Sequence, residues 1–185
     1  HPHSTRPSGR MPDLRLTGQE ASRIAHYLLQ DIRVPGSLEY TLYRGQVWEG
    51  LESENVRAER AGHTLDFSPE TLGKLEHHSA VRFNGWIEIR NPGRYTFYMT
   101  LNGGSLVLDG AVMIQERPSD QRGVREFEAG KELAAGWHKI QVTYFHTGHS
   151  PRFSFEFTGP QTPRQAIPSA LLSVSKELIP KLVPP

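Results

Sequence analysis

The stretch FNGWIEIRNPGRYTFYMTLNGGSLVLDGAVMI, Phe83 to Ile114, decides the fold. Within it Tyr95, Phe97, Met99 and Leu101 alternate with Arg94, Thr96, Tyr98 and Thr100. A period of two sends one row of side chains into a core and the other toward water, which marks a half-buried strand. Three turn signals punctuate the stretch: Asn91-Pro92-Gly93, Asn102-Gly103 and Asp109-Gly110. Asn-Gly and Asp-Gly between apolar strands predict tight hairpins, because both residues tolerate positive φ. The expected strands here are 79–89, 94–101 and 105–114.

The same rhythm continues on either side. Segments 38–43 and 63–67 precede the stretch, and 124–128, 138–145 and 152–157 follow it. The clearest is RFSFEF, where Phe153, Phe155 and Phe157 face one way and Arg152, Ser154 and Glu156 the other. Many short strands at this turn spacing predict an antiparallel sandwich or barrel. Upstream the period changes to 3.6. Thr17-Gly18-Gln19-Glu20 has the pattern of a capping box, and Ala21, Ile24, Ala25, Leu28, Leu29 and Ile32 form one apolar stripe before Pro35-Gly36. The expectation is therefore a mostly β chain, an antiparallel β-sandwich or barrel with one N-terminal amphipathic α-helix.

Composition narrows the functional classes. The chain has 185 residues, 21 basic and 20 acidic, and no cysteine. Mixed charge without a basic stripe argues against nucleic acid as a partner. Zero Cys excludes disulfides, thiolate metal sites and a Cys nucleophile. No apolar run reaches the roughly 20 residues that cross a bilayer as a helix. The opening HPHSTRPSGRMP lacks the layout of a signal peptide, and both ends are abrupt, so a piece of a longer multidomain protein is expected.

FNGWIEIRNPGRYTFYMTLNGGSLVLDGAVMI, AAGWHKIQVTYFHTGHSPRFSFEFTGP and IPSALL, taken in order, resemble the domain named after the N-terminal part of protective antigen (PA-fourteen), over about residues 38–172. That resemblance implies a β-sandwich and a carbohydrate-binding role. It also implies that the strand motifs holding Trp86 and Trp137 are structural, so both are expected to pack in the core. In adhesin members two consecutive Asp joined by a cis peptide hold a calcium ion that binds sugar hydroxyls. Aligned here, those positions are Asn102 and Gly103. Calcium takes about six to eight hard oxygens and favours carboxylates. Two neutral residues do not supply them, so calcium is not expected.

Asn102, Gly103 and Gly104 therefore remain a candidate ligand loop, with a plain tight turn as the alternative. Without calcium, a sugar needs an aromatic platform with directed polar groups. Trp48, in RGQVWEG, and Tyr98, on the polar face beside Thr96 and Thr100, are the candidates, although Trp48 half-buried under a connection is an equal alternative. Asp109 is expected to be a turn former. His146 and His149 are too few for a metal site, and His77-His78, if on a strand, would point to opposite faces. No HExxH, G-x-S-x-G, Walker loop or G-x-G-x-x-G is present. Alternation on a strand accounts for Glu126 and Glu128, so no catalytic residue is expected.

RPSGRMPDLRLTGQEASRIAHYLL, Arg6 to Leu29, resembles the end of a c-type cytochrome domain, with a Met-Pro loop followed by a capped helix. This implies that Met11 is the axial haem ligand only where the intact domain is present, with haem c bound upstream of His1. No cofactor is expected in the fragment itself. The expected division is 1–36, cytochrome remnant and linker; 37–174, sandwich; 175–185, Pro-rich tail. The helix, Glu20 to Ile32, is expected to pack on the sandwich or self-associate. The leading expectation is a non-enzymatic carbohydrate-binding or surface-recognition module with a possible glycan partner. The rival is a spacer or protein-interaction domain beside redox or catalytic domains.

Overall fold

A computed structural model of the chain describes residues 37–119, 123–147 and 152–175. Among them the secondary structure is all β apart from three short 3-10 turns. The mixed class expected from sequence, a sandwich plus an α-helix, is corrected accordingly: the described protein is an antiparallel β-sandwich without an α-helix. The stripe 20–32, on which the helix was placed, lies outside the described residues, as do Met11 and the tail beyond 175.

Eleven strands are described: β1 Leu38–Gly45, β2 Val56–Thr64, β3 Ser79–Ile89, β4 Gly93–Leu101, β5 Gly104–Leu108, β6 Ala111–Glu116, β7 Arg125–Leu133, β8 Gly136–His146, β9 Ser154–Gly159, β10 Thr162–Ala166 and β11 Leu172–Ser173. The larger sheet runs β2-β1-β3-β8-β5-β6, with β11 on β3, and the smaller runs β10-β9-β4-β7. From β3 to β9 the chain changes sheet at every link except β5–β6. That hairpin turns through Asp109 at φ 52° and Gly110 at φ 80°, the left-handed pair that matches the twist of the flanking strands.

The core lies between the sheets. Phe83, Ile87 and Val142 from the larger sheet meet Phe97, Met99 and Phe155 from the smaller. Phe67 comes from a connection rather than a strand, and bridges the layers edge-on to Phe83 (5.6 Å) and Phe155 (4.9 Å). The strand expected at 63–67 is thus displaced to 56–64, and its last aromatic serves as a plug. β2 was hard to read because VRAERAGHT is an edge strand with almost no buried side chain.

Trp86 and Trp137 are not in this core. In β3 the odd residues Val81, Phe83, Ile87 and Ile89 are buried, so Trp86 shares the outer face with Glu88. Trp137 pairs with Glu88 across β8 and lies on that face too. Both indoles are half-buried on the outside of the larger sheet.

The same outer face carries a second, smaller cluster. Val47 and Leu51, from the connection between β1 and β2, pack on Ala80, flanked by Tyr43, Val56 and Phe145. The connection is also closed on itself. The Gln46 amide donates to the Asn55 carbonyl (3.2 Å), and the Glu49 carboxylate accepts from Ser53 Oγ (3.0 Å) and Asn55 Nδ2 (3.1 Å).

Candidate functional site

Asn102-Gly103 is not a hairpin. Leu101 ends β4 in the smaller sheet and Gly104 begins β5 in the larger, so the two residues carry the chain across the sandwich. Neither Gly103 nor Gly104 has φ in the left-handed region. They are glycine because other backbone comes too close for a side chain. A Cβ on Gly103 would stand 2.5 Å from Pro118 Cα and 2.8 Å from Pro118 N, and one on Gly104 would collide with the Thr143 carbonyl oxygen. The Gly103 carbonyl accepts from the Phe145 amide (3.0 Å). Asn102 Nδ2 donates to Thr147 Oγ1 (2.7 Å), tying the crossover to the end of β8.

Trp48 stands on the 3-10 turn Val47–Glu49, held by the Val47 and Leu51 anchors. Its indole is 48% exposed and meets the His78 ring edge-on at 5.0 Å. His78 sits in the turn before β3 with φ 60°, left-handed backbone that His tolerates better than most residues. Its ring lies 4.0 Å from that of His77, which in turn lies 6.4 Å from His146. The expectation that His77 and His78 point to opposite faces fails because they occupy a turn, not a strand.

His146 is 2% exposed. Burial, with His77 and His78 nearby, holds its imidazole below the usual value and favours the neutral form. Tyr144 lies beside it, with the hydroxyl 3.4 Å from His146 Nδ1, and burial pushes that phenol up to about 12. His149 lies outside the described residues.

Two shallow cavities open around Trp48. The first, about 310 Å³, is lined by Trp48, His78, Pro118, Ser119 and Thr147. The second, about 230 Å³, shares Trp48 and Pro118 and adds Gly104, Ser105, Gln115 and Thr143, among others. The crossover runs behind both. Asn102 bonds the Thr147 wall of the first, Gly103 abuts the shared Pro118, and Gly104 lines the second. Two sequence candidates far apart in the chain, Trp48 and the 102–104 loop, thus come together. Pro118, Ser119 and Thr147 were missed, and no pattern in the sequence marks them.

Tyr98 is elsewhere, on the outer face of the smaller sheet. The Arg164 guanidinium covers its ring at 4.1 Å and is itself held by Glu126 and by Glu156 (2.7 Å). An aromatic face already stacked with a cation is not a bare platform.

The crossover does not fit calcium. Asn102 has its amide engaged with Thr147, while Gly103 has no side chain and its carbonyl already accepts from Phe145. Neither supplies a carboxylate. Among the described residues no three His, Asp or Glu side chains converge as a metal site would require.

No family model matches the chain, and no curated protein does. Solved structures match it at low identity. An anti-sigma factor domain-containing protein superposes with a TM-score of 0.63 at 20% identity over 77% of this chain. The chain spans about half (49%) of that protein's length. The PA14 domain of the antifreeze protein MpAFP gives a TM-score of 0.56 at 15% identity, covering 75% of this chain and 90% of that one. A PA14 sugar-binding domain from an RTX adhesin gives 0.55 at 14% identity, covering 75% and 98%. At such identities the likeness is one of fold.

Proposed function

We propose that this chain is a non-catalytic carbohydrate-binding or surface-recognition module of an extracytoplasmic protein, and that it grips its ligand through Trp48 without calcium. The observation that carries this reading is the half-exposed indole standing over a cavity whose other walls are His78, Pro118, Ser119 and the Asn102-bonded Thr147. An aromatic plane stacks on the C–H face of a sugar ring while neighbouring hydroxyl and imidazole groups orient its hydroxyls. The fold likeness to a sugar-binding adhesin domain supports the class of ligand. The departure at Asn102-Gly103 supports a mechanism independent of metal.

A glycan array probed with and without chelator tests the reading, followed by titration of Trp48→Ala. Binding should survive chelator and fall at least tenfold in the variant. Loss of binding on chelation would sink the calcium-free mechanism. An array with no hits would favour the spacer or protein-interaction role instead.

A further inference from the structure

We infer that the Trp48 site is a two-subsite groove for a neutral oligosaccharide at least two sugar rings long. This rests on the carbohydrate reading above and extends it from one cavity to two. Trp48 and Pro118 line both cavities, so the two adjoin at those residues and form one path over the outer face of the larger sheet. Small-molecule sites commonly span about 300–1,000 Å³. The cavities, at about 310 and 230 Å³, sit singly at or below the lower end of that range and fall within it together.

A second observation points to the same path. Among the described residues two side-chain nitrogens are buried without a hydrogen-bond partner, His78 Nδ1 and Arg82 Nε. His78 lines the first cavity and Arg82 the second. Buried polar atoms are normally paired, so one orphan in each wall marks where polar partners belong. Both nitrogens belong to partly exposed side chains: His78 is half-buried and the Arg82 side chain is 24% exposed. A chain of hydroxyl-bearing rings offers partners at both places at once.

Three of the four charged side chains that line the second cavity are already engaged, which favours a neutral chain. Arg82 is paired with Glu52 (3.2 Å), Glu116 with Arg125 (2.9 Å), and Glu49 is hydrogen-bonded within its own connection. The remaining polar lining of the second cavity comes from Ser105, Gln115 and Thr143, which suit hydroxyls, and from the exposed Arg117.

The test is calorimetric titration of the full 185-residue chain with gluco-, manno- and xylo-oligosaccharide ladders from one to six units, plus an oligouronate ladder. In at least one neutral series the dissociation constant should drop about tenfold or more between one unit and two or three, then level off. Gln115→Ala, an exposed change on β6, should compress that gain while leaving the melting temperature unaltered. Equal affinity for the single sugar and its longer members would overturn the two-subsite inference and leave the carbohydrate reading standing. Binding confined to the oligouronates would overturn the neutral-ligand assignment. Failure of every sugar to bind would overturn both.

Discussion

Gly103→Ala probes the site and the fold together. Its φ is outside the left-handed region, so alanine meets no backbone penalty there. The penalty is steric: the new methyl would lie 2.5 Å from Pro118 Cα, where ordinary contact begins at 3.4 Å. Relief requires a shift of about 0.9 Å, and the obstacle is backbone rather than a flexible tip. Overpacking of this kind costs about 1–3 kcal/mol, which lowers the melting temperature of a domain this size by roughly 2–4 °C per kcal/mol. Because Pro118 is, with Trp48, a wall common to both cavities, ligand affinity should fall as well. Gly110→Ala is the control. Its φ of 80° penalises alanine, but open space surrounds it and neither cavity includes it. It should lose about 1–2 kcal/mol and keep wild-type affinity. Urea melts with unchanged m-values and titration of an array-positive glycan read both quantities. A Gly103→Ala protein with wild-type stability would refute the close approach, and one that is destabilised but binds normally would refute the role of Pro118.

Two further outcomes follow from titratable groups. Partial burial opposes ionisation of Asp109, but its bonds from His138 (2.6 Å) and the Lys139 amide (2.9 Å), with Lys131 nearby, outweigh that and hold its carboxyl below the usual 3.8. The stability it contributes is present above 3.8 and lost as pH falls through the lower folded value. Asp109→Asn should therefore flatten acid unfolding below about pH 4 while keeping the turn, and Asp109→Ala should cost about 1–2 kcal/mol at neutral pH; equal melting curves for wild type and Asp109→Ala would refute the assignment. His146 is held below its ordinary 6.5, so the folded protein binds fewer protons than the unfolded chain, and stability should be lost as pH falls below 6.5. Melting temperatures from pH 8 to 5 should slope less in His146→Gln, and identical slopes would count against it.

The sequence was most legible where burial is one-sided. RYTFYMTL and RFSFEF show their inner rows directly; β4 forms where the alternation put it, and β9 runs two residues later than expected, from Ser154 to Gly159. Trp86 was misread although its phase was visible, since it keeps step with Glu88 and not with Ile87. Asn102-Gly103 is a different kind of miss. Turn chemistry says that the chain can bend, but not which sheet receives the next strand. Here that is decided by β8, whose Tyr144 pairs with Gly104 from forty residues away. Trp48 and the 102–104 loop could each be singled out, yet their meeting depends on Pro118 and Thr147, which come from the ends of β6 and β8.

The small cluster of Val47 and Leu51 on Ala80 separates two kinds of change. The indole at the centre of the site rides on a connection anchored outside the main core, whereas the crossover beneath it is locked between backbones. Residues 46–55 can therefore diverge between relatives, altering what the surface recognises, while the crossover glycines stay under steric selection. In a lineage of such modules, specificity would be expected to drift through that one connection while the sandwich beneath it persists.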